Sequence, residues 1–433
     1  MQMKKTDYTS GVTAADPKEI RLGLSRMRKL LEILGDPQKK LKIVHVAGTN
    51  GKGTVIAFLK SVLCQKKERK VGVFTTPAVF SPYEAIGING RNITPKKLRE
   101  LTEEVNAVCE NRFPEENRPS PFERLTAKAF LYFARERTDI VLLETGLGGD
   151  LDATNAYDAG QQLSAVLTSV GMDHMDLLGD TPAQIAAHKA GILREERPVI
   201  TGRNIPPEAL DVIRAAAQKL HCPVIDSTRY ARRIAKLRLA MAGRAAADNA
   251  ACAYACLCEL QSLGFSIDEE EIRRGLSETV LPGRFEILPL TKENERVVIL
   301  DGAHNLPAAE AFAENIKSGW KDYKKIIVCG MLKDKDHAAV LRQIAGLSPN
   351  AVYFGATRGK RGLSAVELSQ DLMREPEAKD CEVRRFGSVR QAFSAALDRS
   401  AQLQGKVLVA ALGSFTFLET LKQEIRRRND EKR

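Results

Sequence analysis

The sequence predicts an α/β protein of two domains, each built on a parallel sheet covered by helices. Three observations lead there. Short β-branched runs alternate with amphipathic helical stretches along the chain. The 433 residues exceed what a single ordinary core accommodates. Turns rich in glycine or carboxylates fall where strands pass into helices, the place where parallel sheets bind ligands.

Taken in order, the expected strands of the first domain are "KIVHVAG", "KVGVFTT", "DIVLLETG", "SAVLTSVG" and "RPVITG". After the first of them, "TVIAFLKSVLCQKK" sets Val55, Phe58, Leu59 and Val62 on one helical face. The pattern pauses at "LPGRFEILPLTKENERVV", where prolines, a glycine and a charged run interrupt it. The domain junction is therefore expected near residues 288 to 295, giving domains 1–290 and 296–433. The second domain resumes with "RVVILDGAH", "KKIIVCGM", "NAVYFGA" and "KVLVAALGS".

A formal net charge of +11 favours anionic partners without choosing among them. Much of the excess sits in solvated-looking runs such as "CQKKERK" and "IRRRNDEKR", and glycine-arginine tracts and aromatic strand motifs are lacking. The first residues carry charge without a following apolar run, and no segment reaches the length of a membrane span, which points to the cytoplasm. The eight cysteines are scattered without the paired spacing of a zinc site. Reduced thiols are expected, with Cys252 and Cys256 buried on an alanine-rich helix.

Chemistry concentrates at the strand-to-helix turns. In "KIVHVAGTNGKGTVIAFLK", only Thr49 and Asn50 separate Gly48 from Gly51, and Gly53 stands between Lys52 and Thr54. This departs from the common phosphate loop, which has four residues between its glycines and a hydroxyl directly after the lysine. Even so, exposed N–H groups and a helix dipole at such a turn attract phosphate oxygens. Lys52 supplies a cation to the outer phosphates, and Thr54 a hydroxyl for magnesium. Glu144, at the tip of "DIVLLETG", is the expected carboxylate for that metal.

In "TSVGMDHMDLLGDTPAQIAAHKAGIL", Asp173 and His174 follow another strand, and Lys189 lies in a helix opened by Thr181 and Pro182. Taken singly, His174 reads more often as a hydrogen-bonded structural histidine than as a ligand, and Lys189 as a solvated helix residue. In "VVILDGAHNLPAAEAF", Asp301, His304 and Asn305 end a strand. They suit either a ligand cleft, with Asp301 on a ribose, or a capped helix start.

The segments "GTNGKGT", "ETGLGGDLDATN", "TSVGMDHMDLLGDT", "HKAGI", "LPGRFE" and "DGAHN" occur in the order seen in folylpolyglutamate synthases and bifunctional dihydrofolate synthases of the Mur ligase superfamily, and the chain resembles them over nearly its whole length. The resemblance implies a Mur-ligase-like P-loop ATPase domain, a smaller Rossmann-like C-terminal domain and a reaction cleft between them. It also accounts for the shortened loop, which this superfamily uses with a glycine before the hydroxyl residue.

The implied activity is ATP-dependent addition of L-glutamate to the glutamate carboxylate of folates through an acyl phosphate, with dihydropteroate as a further possible acceptor. By the same resemblance, Gly48, Thr49, Asn50, Gly51, Lys52, Gly53, Thr54, Asn249, Arg284 and Asp301 would bind ATP. Thr54 and Glu144 would hold one Mg2+, and Glu144 and His174 a second. Lys189 would be a metal ligand if carbamylated, and Lys52, Glu144, His174 and Lys189 would form the catalytic set. His304 and Ser414 would lie near the incoming glutamate or folate, and "GMLKDKD", with Lys333 and Asp336, matches a family segment. The implied partners are small molecules alone, with neither nucleic acid nor membrane, on a monomeric chain.

Several positions depart from the usual pattern. Asp150 stands where arginine is common, His188 where glutamate often precedes the lysine, Ala245 and Ala246 where a His-Gln pair is common, and Ala85 where an arginine often follows Glu84. Exchanging arginine for aspartate reverses a charge near anionic substrates. The rival readings are a Mur-type ligase acting on another carboxylate and a nucleic-acid-stimulated ATPase.

Overall fold

Aliphatic runs too short for helices and bounded by turns assemble into two sheets. The computed structural model describes residues 21–78, 81–290, 295–333, 335–357 and 362–430. The opening stretch read for a leader lies outside them, as do residues 291–294 of the expected junction.

The first unit comprises Met1–Ala240 and Ala245–Thr279. Its strands are β1 (Ile43–Ala47), β2 (Val71–Phe74), β3 (Ile86–Ile88), β4 (Arg91–Asn92), β5 (Ile140–Glu144), β6 (Gln162–Ser169), β7 (Val199–Asn204) and β8 (Val224–Asp226). They lie in the order β4-β3-β2-β5-β1-β6-β7-β8. From β2 to β8 the pairing is parallel, while β3 and β4 join antiparallel at one edge. Strand β1 is therefore central, with Val46 opposite both Glu144 of β5 and Val166 of β6. β1, β2 and β5 are buried along their full length, as expected of strands covered by helices on both faces.

Helix Lys52–Leu63 follows β1 and buries Val55, Phe58, Leu59 and Val62, the face expected from its spacing, together with Ile56 and Leu63. Helix Pro182–Ala190 starts at Thr181, whose side chain accepts the Gln184 N–H while the Gln184 side chain returns to the Thr181 backbone. Helix Arg244–Ser262 buries Cys252 and Cys256 among alanines, and all eight cysteines are free.

The second unit comprises Met241–Arg244 and Val280–Arg433. Its strands are β9 (Glu286–Pro289), β10 (Arg296–Leu300), β11 (Lys324–Cys329), β12 (Ala351–Gly355), β13 (Glu382–Phe386) and β14 (Val407–Leu412). Their order is β13-β12-β11-β14-β10-β9, all parallel except the β9–β10 pair. The division thus falls between Thr279 and Val280, ahead of the expected junction. The reason is β9: "EILP", expected in the first domain, pairs with β10 as an edge strand, where a proline that cannot donate to the ladder is tolerated. No helix among the described residues is long and apolar enough to cross a membrane.

Candidate active site

The turn after β1 is formed by backbone geometry that only glycine adopts easily. Gly51 has φ +89° and opens helix Lys52–Leu63. A side chain on Gly48 has no room, because its Cβ would stand 1.9 Å from Thr168 Oγ1. The loop is tied to the end of β6: Asn50 N–H donates to Ser169 Oγ at 2.9 Å, and Thr168 Oγ1 donates to the Asn50 carbonyl at 2.6 Å. Lys52 Nζ reaches back to the Gly48 carbonyl at 3.0 Å, so its charge sits over the loop.

One cavity is lined by Gly48, Thr49 and Lys52 of this loop, by Thr145 to Gly148 of the turn after β5, by Asp173 and His174, and by Lys189. Four segments distant in sequence thus converge, among them the expected Lys52, His174 and Lys189. Lys189 is buried, and that burial pushes its amine down to about 7, with nearby Lys52 acting in the same direction and Asp173 opposing. His174 adopts a left-handed backbone (φ +52°) at the start of the short helix Met175–Leu178.

Thr54 and Glu144 are buried beside this cavity and do not line it. A methyl on Gly53 would stand 3.6 Å from Glu144 Oε2, which sets the carboxylate against the first turn of the loop helix. Glu144 Oε2 also accepts the Thr76 N–H at 3.3 Å. Asn249 lies close to the loop as well, since a Cβ on Gly51 would come within 2.3 Å of its Oδ1.

In the second unit, Asp301 accepts the N–H groups of Phe285 and Ala303, each at 2.7 Å. Burial raises its pKa, which Arg284 and these hydrogen bonds oppose. The Arg284 guanidinium lies 4.2 Å from the Phe415 ring centre, and the His304 ring meets the same phenyl edge-on at 6.1 Å. His304 Nδ1 donates to the Gly302 carbonyl at 2.8 Å. Ser414, next to Phe415, accepts the Thr416 N–H. Asn305 caps helix Leu306–Gly319 and Asp336 caps His337–Ala345. Phe415 is the residue that sequence reasoning missed here; its signal was an aromatic inside "GSFTFL" beside the expected Ser414.

Comparison with known proteins settles the family. Residues 46–227 match the Mur ligase middle domain, and residues 283–413 match the Mur ligase glutamate ligase domain. The dihydrofolate synthase/folylpolyglutamate synthase of Bacillus subtilis is 34% identical over 375 residues, which span 81% of this chain and 84% of that protein. The chain belongs to the dihydrofolate synthase/folylpolyglutamate synthase family.

The Escherichia coli member of the dihydrofolate synthase/folylpolyglutamate synthase family is 32% identical over 407 residues, covering 92% of this chain and 90% of that one. The structure of Escherichia coli FolC with DHPP and ADP aligns with a TM-score of 0.81 at 30% identity, covering 98% of this chain and 97% of that chain. A Yersinia pestis bifunctional enzyme complexed with AMPPNP and Mn ion aligns at 0.79 with 28% identity, covering 95% of each chain.

Two departures from the usual family pattern face each other. His188 Nδ1 lies 2.9 Å from Asp150 Oδ1, and the Asp150 N–H donates to the His188 carbonyl, also at 2.9 Å. The two positions at which the sequence departs from the expected arginine and glutamate are therefore neighbours at one contact. Both side chains are about one-third exposed, so the pair contributes modestly. Asp150→Arg is expected to lower the urea-unfolding free energy by about 1 kcal/mol, and Asp150→Arg with His188→Glu to recover most of it. Equal deficits in the single and double variants would show that the two positions do not interact.

Proposed function

We propose that this protein is an ATP-dependent ligase that joins L-glutamate to the terminal glutamate carboxylate of reduced folates, and that it also accepts dihydropteroate. The observation that carries this reading is the convergence of the glycine turn, Lys52, His174 and the buried Lys189 on one cavity. Its support is the family membership and the names of the relatives, which include both activities.

A carboxylate is a poor electrophile toward an amine, so its oxygen first attacks the γ-phosphorus of ATP. ADP leaves and an acyl phosphate forms. The glutamate amine then attacks the acyl carbon, phosphate departs, and the nitrogen loses a proton to give the amide. In phosphoryl transfer the protein acts chiefly by positioning and charge stabilisation. The N–H groups at the start of helix Lys52–Leu63 and the Lys52 ammonium would receive phosphate oxygens. Arg284 and Asp301 would bind the nucleotide, assisted by Asn249, and His304 and Ser414 would hold the amino-acid side of the reaction. The first unit would thus serve as the ATP-binding domain and the second as the glutamate ligase domain.

The donors suit divalent cations shared with phosphates. Among the described residues no three His, Cys, Asp or Glu side chains gather at one point, which suits a cation held partly by water and by phosphate oxygens. That is how magnesium is usually held, through one or two carboxylates plus phosphates. Thr54 and Glu144 would hold one Mg2+, and Glu144 with His174 a second. When bound, the ions would polarise the phosphoryl oxygens.

Lys189 fits the same set as a carbamate, because a buried amine titrating at about 7 is neutral often enough to add carbon dioxide. Protein equilibrated with 13C-bicarbonate is expected to show a carbamate carbonyl resonance that Lys189→Arg lacks; the same signal in both proteins would place the carbamate elsewhere. We further propose a cytoplasmic monomer acting without nucleic acid.

The test is a coupled assay of ADP release with dihydropteroate or reduced folates, each with and without L-glutamate. Release is expected only when acid, ATP and glutamate are all present. Hydrolysis that ignores glutamate and rises with added DNA or RNA would overturn the proposal.

A further inference from the structure

His45 has no part in the chemistry above, yet it occupies the middle of the central strand β1 with its side chain fully buried. An imidazole costs free energy there unless both nitrogens are satisfied. His45 Nδ1 lies 2.8 Å from Tyr157 Oη, and Nε2 lies 2.9 Å from Thr145 Oγ1 and 3.0 Å from Thr154 Oγ1.

Two independent chains of hydrogen bonds assign the proton. Gln162 Nε2 donates to the Ile192 carbonyl at 2.9 Å, which fixes that atom as the amide nitrogen, and its other hydrogen goes to Tyr157 Oη at 2.8 Å. Tyr157 has one proton, which is left for His45 Nδ1, so Nδ1 accepts. On the other side, Thr154 Oγ1 spends its only proton on Asp152 Oδ1 at 2.5 Å, so it must accept from His45 Nε2. Both routes give a neutral ring protonated on Nε2. Burial pushes the His45 pKa down to about 3, with Arg194 adding to the effect, in keeping with a ring that stays neutral.

The chain ends at the cavity. Asp152 Oδ2 accepts the Leu147 N–H at 2.8 Å, and its Oδ1 accepts the Thr154 N–H at 3.0 Å. Leu147 and Thr145 both line the cavity, and Thr145 directly follows Glu144. His45, Thr145, Asp152, Thr154, Tyr157 and Gln162 are all buried. The network therefore clamps the turn after β5 from below at two points, the Thr145 hydroxyl and the Leu147 amide.

We propose that His45 is a positioning residue for the ligase reaction: its single Nε2–H, fixed by Tyr157 and Gln162 and shared between the Thr145 and Thr154 hydroxyls, holds Thr145 directly and Leu147 through Thr154 and Asp152, and so sets the turn that follows Glu144 beside the phosphate loop. The proposal rests on the ligase reading of this cavity. Catalysis by positioning is sensitive to displacements of about 1 Å, which can cost up to about a hundredfold in rate.

His45→Leu is expected to lower kcat for glutamate-dependent ADP release by about tenfold or more at a temperature where circular dichroism shows it folded, with the glutamate KM changed less than about twofold. His45→Gln, which keeps a donor near the Nε2 position, is expected to recover to within about threefold of the parent, whereas His45→Asn is not. In 15N-histidine spectra of the unaltered protein, one of the six histidines should remain a neutral Nε2–H tautomer from about pH 5 to 8 and disappear in His45→Gln.

A folded His45→Leu protein with parental kcat, or a His45 signal from an Nδ1–H tautomer or an imidazolium, would overturn the proposal. If the leucine variant fails to fold, the glutamine variant and the tautomer decide. Lack of glutamate-dependent turnover in the unaltered protein would instead defeat the ligase reading, whatever the tautomer.

Discussion

Lys52→Ala is expected to lower glutamate-dependent ADP release by roughly a thousandfold while leaving the fold intact. The Lys52 amine sits over the loop through the Gly48 carbonyl, on the wall of a cavity it shares with Lys189 and His174. Its removal would take a cation from the proposed phosphate site. Few packing contacts go with it, because the helix it opens is held by Val55, Phe58 and Leu59 beneath. Steady-state kinetics and a thermal melt of the same preparation measure the two effects. A variant that keeps even a tenth of the parental rate would remove Lys52 from the phosphate site.

Glu144→Gln is expected to cost about a hundredfold in kcat and to move the magnesium requirement to higher concentration. Glutamine keeps an oxygen to accept the Thr76 N–H, so the change isolates the charge facing Gly53 from the hydrogen bond that holds the side chain. Magnesium titration of the rate discriminates: an unchanged titration would mean that the carboxylate has no metal to hold. Glu144→Ala is the harsher variant, because it leaves the Thr76 amide without this acceptor.

The long parallel strands were legible in the sequence because their residues are buried on both faces and read as unbroken aliphatic runs. The strands it did not reveal are edge or near-edge ones. Ile86–Ile88 and Arg91–Asn92 are too short to show a pattern, and Glu382–Phe386 carries "EVRRF", whose arginines are exposed on the outermost strand. The strand Glu286–Pro289 was hidden by its proline and by the charged run that follows, which together resemble a linker.

Within the candidate site, local chemistry was readable wherever one strand tip carries its own functional group. Gly48 to Thr54 and Glu144 are singled out in this way, whereas His174 and Asp301 have structural readings at least as good taken alone, and Asn305 before Pro307 marks a helix start that the structure confirms. His45 was invisible because a single polar residue in an aliphatic strand gives no hint of the partners it will meet.

By itself the sequence determined the two α/β sheets, the shortened glycine turn and the polar groups at the strand ends, since these follow from backbone sterics and the burial of residues a few positions apart. Tertiary structure alone decided which of those groups meet. His45 reaches Tyr157, 112 residues away, only because β1 lies between β5 and β6, and Asp150 reaches His188 only because the turn after β5 packs on the end of helix Pro182–Ala190. Contacts of that range depend on strand order and on which helix covers which face, and no local pattern of residues encodes either.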